Sequence, residues 1–208
     1  LLEIPVDVGT MPTDTLSLAT RRTAARWAQT DVSDARQLLD GSRRPLVVAG
    51  GGARSAAASV LELADRLRAP IVPTVNGRCA ALDREERVFP PTAIGPLWEA
   101  CDLVIAVGTR LASIYGSERQ KTFPRPVLRI DADPKRQRVS DHTAIGLTGD
   151  AATITRSLLG MASGIPATEW DDRMLGDLRD ACTAALAAAP LQAQYTGVLD
   201  DLLADDAV

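Results

Sequence analysis

The chain has 208 residues, 46% hydrophobic and 24% charged, with a formal net charge of −4. This is the composition of a globular chain long enough to bury a real core, and an acidic pI near 5.1 excludes the electrostatic footprint of nucleic-acid or anionic-membrane binding. No apolar run approaches the roughly 20 residues of a membrane span and no signal peptide is visible, so no membrane partner is expected.

Residues 1–30 open on "LLEIPVDV", an alternating run broken by Pro5, and continue into a polar stretch. This reads as an arm or linker. The chain starts on Leu1 and ends on "LLADDAV", so a piece of a longer protein is expected. Over 31–41, "DVSDARQLLDG" predicts a helix, with Asp31 or Ser33 as its cap and Gly41 at its end. "PLVVAGGG" predicts a buried strand running into a glycine turn. "ARSAAASVLELADRLRA" predicts an amphipathic helix with Val60, Leu63, Ala64 and Leu67 on one face. "PIVPTV" is a short strand limited by Pro73.

"GPLWEACD" is helical, and "DLVIAVGT" is the strongest strand signal in the chain. "RPVLRIDADP" is a further strand ending in acids, "AIGLTGD" a weaker one, and "DAATITRSLLGMA" a helix that Asp150 can cap. Strands alternate with helices, and several strands are continuous apolar runs. The expected fold is therefore α/β, a doubly wound parallel sheet of Rossmann-like, NAD/FAD-binding type covered on both faces, over residues 31–163. Residues 164–208 form a helical tail: Trp170, Met174, Leu178 and Cys182 recur at helical spacing, Pro190 breaks the pattern, and Leu199, Leu202 and Leu203 mark a last helix.

In an open parallel sheet, ligands bind at the carboxyl ends of the strands. Three groups of residues fall there. Gly50, Gly51 and Gly52 stand between a strand and a helix, where backbone N–H groups can hold a phosphate. The alternative is a turn that needs positive φ. Thr109 and Arg110 follow the strongest strand, and an Arg there can pair with a phosphate or remain a surface residue. Asp131 and Asp133 end the next strand, where an acid can accept a ribose hydroxyl or cap a helix at Asp133–Pro134. His142 is the single histidine and reads as a surface residue. Cys79, Cys101 and Cys182 are odd in number and widely spaced, which suggests neither a zinc site nor a disulfide framework, and Asp83, Glu85 and Glu86 read as a solvated turn. No catalytic set and no metal site can be assembled.

The run "RRPLVVAGGGARSAAASVLELADRLRAPIVPTVNGR" resembles the central domain of thiamine diphosphate-dependent enzymes, the family of acetolactate synthase, benzoylformate decarboxylase and pyruvate oxidase. The likeness continues through "ACDLVIAVGTRL", "PVLRIDADP" and "AIGLTGDAATITRSLL", and "LLEIPVDV" resembles the segment that leaves the preceding pyrimidine-binding domain. The resemblance implies that residues 164–208 lead toward a diphosphate-binding domain. It also implies that the parent uses thiamine diphosphate and magnesium, held by those two other domains and not by this chain. FAD or ADP is the ligand that some relatives carry in this domain. By position, Gly50, Gly51, Gly52, Thr109, Arg110, Asp131 and Asp133 match where their nucleotide contacts fall. Two departures count against FAD: the G-x-x-G-x-H-G stretch before "DLVIAVG" is missing, and "RLASIYGSER" stands where relatives carry R-F-D-D-R.

The resulting expectation is the central domain of a thiamine diphosphate-dependent 2-oxo acid decarboxylase or carboligase. It would be structural, inactive alone, and partnered by the two catalytic domains of a cytoplasmic homodimeric or homotetrameric parent. The alternative is a free-standing FAD- or NAD-binding module.

Overall fold

The computed structural model describes residues 32–78, 87–111, 124–135, 143–161 and 169–188, with residues 194, 195, 197, 198 and 202. The expected arm, His142, Cys79, the acidic turn near residue 85 and the break at Pro190 lie outside the described residues. The elements run in the order α1 (Ser33–Gly41), β1 (Pro45–Ala49), a 3-10 turn (Gly51–Ala56), α2 (Ala57–Leu67), β2 (Ile71–Pro73), α3 (Ile94–Ala100), β3 (Leu103–Val107), β4 (Val127–Asp131), β5 (Thr143–Thr148), α4 (Ala151–Met161) and α5 (Asp172–Ala187). Short 3-10 turns also cover Val75–Gly77 and Pro91–Ala93.

The five strands form one sheet in the order β2-β1-β3-β4-β5, and every pairing is parallel. The chain order reverses between β1 and β3, so the topological switch point lies where these two strands end. The continuous apolar runs have a direct cause. Successive residues of a strand point to opposite faces, and here both faces are covered. Val47, Ala49, Leu103, Ile105, Val107, Leu128 and Ile130 face one core with α1, α2 and α4. Leu46, Val48, Val104, Ala106 and Val127 face a second core built around Phe89, Leu97 and Trp98. Trp98 is fully buried, and taking a side chain of that size from water contributes roughly 4–6 kcal/mol as an upper bound.

At the start of α1, Val32 occupies the capping position and makes no side-chain cap hydrogen bond, and the expected cap Asp31 lies outside the described residues. The stretch after the glycines begins as a 3-10 turn and becomes α-helical only at Ala57. The expected cap on α4 is present, with Asp150 Oδ1 accepting from Thr153 N and Thr153 Oγ1, both at 2.8 Å. The apolar face of α5 packs on the second core through Met174, Leu175, Leu178 and Cys182. Trp170, buried just ahead of it, donates from Nε1 to Pro45 O at 2.9 Å, and Glu169 N donates to Arg43 O at 2.7 Å. At the opposite end of the sheet from the switch point, Asp102 accepts from Ser42 Oγ at 2.6 Å, Arg43 N at 2.7 Å and Arg44 N at 3.0 Å, joining the starts of β1 and β3.

Candidate functional site

The carboxyl ends of β1 and β3 bring Gly50, Gly51, Gly52 and Thr109 together around Gly108. The contact is backbone on backbone. Gly50 N donates to Val107 O at 2.8 Å and Gly52 N donates to Gly108 O at 3.1 Å. A Cβ on Gly50 would stand 2.3 Å from Gly108 O, and one on Gly108 would stand 2.5 Å from Gly52 Cα. No side chain fits between these segments, and this is why glycines occupy them.

The conformational reason anticipated for the triplet does not apply. Gly50 has φ −99°, and Gly108 is the glycine at this crossing with positive φ, at 57°. Gly77, after β2, is held in the same way: a Cβ there would lie 2.0 Å from Ala49 O. Two of the three N–H groups that could cradle a phosphate are therefore committed to neighbouring carbonyls. Gly51 takes no part in those bonds and is exposed.

Thr109 is buried and its polar atoms are used internally. Its Oγ1 accepts from Leu111 N at 3.2 Å, and its carbonyl accepts from Arg129 Nη1 at 2.7 Å. Leu111 adopts a left-handed φ of 48°, which the Thr109 hydroxyl supports. Arg110 is exposed. Asp131 and Asp133 are half-buried one strand further along. Asp131 Oδ1 accepts from Asp133 N at 2.9 Å and Asp133 Oδ1 from Lys135 N at 3.0 Å, so both shape the turn after β4. The switch point thus joins the glycines to Thr109, while Asp131 ends the adjacent strand, whose Ile130 O accepts from Gly108 N at 2.8 Å.

Arg129 sits inside β4, 1% exposed, and its Nε and Nη2 have no hydrogen-bond partner among the described residues. Burial pulls its affinity for a proton down, and the Asp131 carboxylate pushes it back up. The available signal was a charged residue in the middle of "VLRID", an otherwise apolar strand. The other perturbed interior group is Cys101, whose thiol is pushed up to about 12, chiefly by burial.

For thiamine diphosphate and its magnesium, the residues present do not fit. Among the described residues no group of three or more His, Cys, Asp or Glu side chains could hold a metal ion. Among the described residues no helix is long and apolar enough to cross a membrane.

The family described as thiamine pyrophosphate enzyme, central domain, matches residues 32–158. The probable 2-ketoarginine decarboxylase AruI of Pseudomonas aeruginosa is 30% identical over 187 residues, which cover 82% of this chain and 31% of that protein. The probable acetolactate synthase large subunit of Methanocaldococcus jannaschii is 29% identical over 143 residues, covering 62% of this chain and 23% of that one. An X-ray structure assigned as a thiamin diphosphate-dependent enzyme from Mycobacterium smegmatis superposes with a TM-score of 0.52 at 17% identity, over 71% of this chain and 30% of that chain. The last likeness shows the shared α/β fold. The chain spans less than a third of the length of each of these relatives.

Proposed function

The chain belongs to the thiamine pyrophosphate enzymes, as their central domain, and on that premise we propose that it is a non-catalytic scaffold within a longer enzyme. The observation that carries this reading is the glycine crossing at the switch point. There the N–H groups of Gly50 and Gly52 bind Val107 O and Gly108 O, so the loops brace each other in the place where a nucleotide phosphate would lie. Thr109 supports the same reading, because its hydroxyl and carbonyl are both used within the fold.

The parent, in this proposal, makes or breaks a carbon–carbon bond beside the carbonyl of a 2-oxo acid, as a decarboxylase or transferase. Thiamine diphosphate and magnesium, held by other domains, supply the carbanion chemistry. The parent is a cytoplasmic homodimer or homotetramer. FAD or ADP, if carried here, would have to rely on Gly51, Arg110 and the acids Asp131 and Asp133.

The test is calorimetric titration of the purified chain with FAD, ADP and thiamine diphosphate. The expected result is no saturable binding tighter than about 1 mM for any of the three. Micromolar affinity for FAD or ADP would overturn the scaffold reading in favour of a nucleotide-carrying domain. Micromolar affinity for thiamine diphosphate would overturn the assignment of that cofactor to other domains.

A further inference from the structure

Arg129 is a charged side chain held inside the sheet layer with two of its three guanidinium nitrogens unpaired among the described residues. It is 1% exposed. Nη1 donates to Thr109 O at 2.7 Å, whereas Nε and Nη2 are buried with no hydrogen-bond partner among the described residues. These two donors are not scattered. Nε–H and the adjacent Nη2–H share one edge of the planar guanidinium, and that edge is the fork that takes two oxygens of one oxyanion. A buried guanidinium with an empty fork is costly, because its lost hydration is not replaced.

In the sheet register Arg129 stands between Ala106 of β3 and Gly146 of β5, so its flanking partners carry one side-chain carbon and none. Among the described residues β5 is the last strand of the sheet, and Gly146 on it is only partly buried. No described carboxylate forms an ion pair with Arg129. The Asp131 carboxylate acts on it through space. That nearby negative charge disfavours a doubly charged anion relative to a singly charged one.

We propose that Arg129 forms a binding site for a small free monocarboxylate, with the Nε–H and Nη2–H edge of its guanidinium holding the two carboxylate oxygens while Nη1 stays fixed on Thr109 O. The site adjoins the glycine crossing through Thr109, whose carbonyl holds Nη1, and it does not depend on the scaffold role.

The test is a titration of the intact chain with sodium formate against sodium chloride at matched ionic strength, followed by thermal unfolding. The wild type is expected to show a saturable rise in Tm with formate. Arg129→Met is expected to lose it. Arg129→Lys, which keeps the charge but not the fork, is expected to bind formate at least about tenfold more weakly, the loss of one charge-assisted hydrogen bond. Equal formate responses in wild type and Arg129→Met would overturn the proposal. Inorganic phosphate binding as tightly as formate would overturn the carboxylate assignment. If the variants do not fold, the wild type decides alone: a side-chain Nε–H resonance of arginine in the 15N spectrum should shift saturably with formate, and an unshifted set of resonances overturns the site.

Discussion

Replacing Gly108 by alanine tests the backbone crossing on which the scaffold reading rests. Two costs act together. The residue sits at φ 57°, and a left-handed conformation costs a non-glycine residue about 1–2 kcal/mol. The new Cβ would also stand 2.4 Å from Gly52 C and 2.6 Å from Ala53 N, so the facing segment must retreat by 1.0 Å to reach ordinary contact at 3.4 Å. That movement stretches the 3.1 Å bond from Gly52 N to Gly108 O past any useful length, and leaving such groups unpaired costs about 1–3 kcal/mol. The expected loss is therefore roughly 2–5 kcal/mol, read from urea unfolding followed by circular dichroism. Gly52→Ala separates the two causes, because it has no positive φ yet its Cβ would lie 2.9 Å from Gly108 Cα. Gly176→Ala is the control: that glycine lies within α5 with nothing inside 4 Å of an added Cβ, so alanine should raise stability by about 0.5–1 kcal/mol. A loss below about 1 kcal/mol for Gly108→Ala would refute the argument that close backbone packing dictates glycine here.

Two further outcomes follow from the titrating groups. Hydrogen bonds from Thr153 hold the Asp150 carboxyl below its ordinary value of 3.8. A depressed carboxyl stabilises the fold above its unfolded-state pKa and loses that contribution as pH falls through the folded one. Asp150→Ala should thus cost about 1 kcal/mol near neutrality, with the difference from wild type vanishing in acid below pH 3.8, in unfolding measured across pH. A difference that persists at low pH would count against the cap. Cys101 is buried with its thiol pushed up to about 12, so iodoacetamide at mildly alkaline pH should alkylate the half-buried Cys182 in the folded protein and leave Cys101 unmodified until denaturant is added. Peptide mapping that finds Cys101 labelled in the native state would contradict its burial.

The parallel sheet was legible from the amino-acid sequence alone because its signal is local. Strands covered on both faces must be apolar at every position, and "PLVVA" and "LVIAV" meet that demand without help from distant residues. The Asp150 cap was legible for the same reason, since its partner Thr153 is three residues away. The seven candidate residues were visible as strand-end positions, but their roles depended on contacts between segments far apart in the chain. Whether Gly50 and Gly52 face a ligand or a second backbone was decided by β3 arriving beside β1, which places Gly108 against them. Arg129 was visible as a charge in an apolar strand, yet the Thr109 carbonyl that holds its Nη1 lies twenty residues away and meets it only in the folded sheet. Periodicity along a chain records how much of each residue is buried, whereas hydrogen-bond commitments are settled by whichever groups the tertiary fold brings within 3 Å or so of one another.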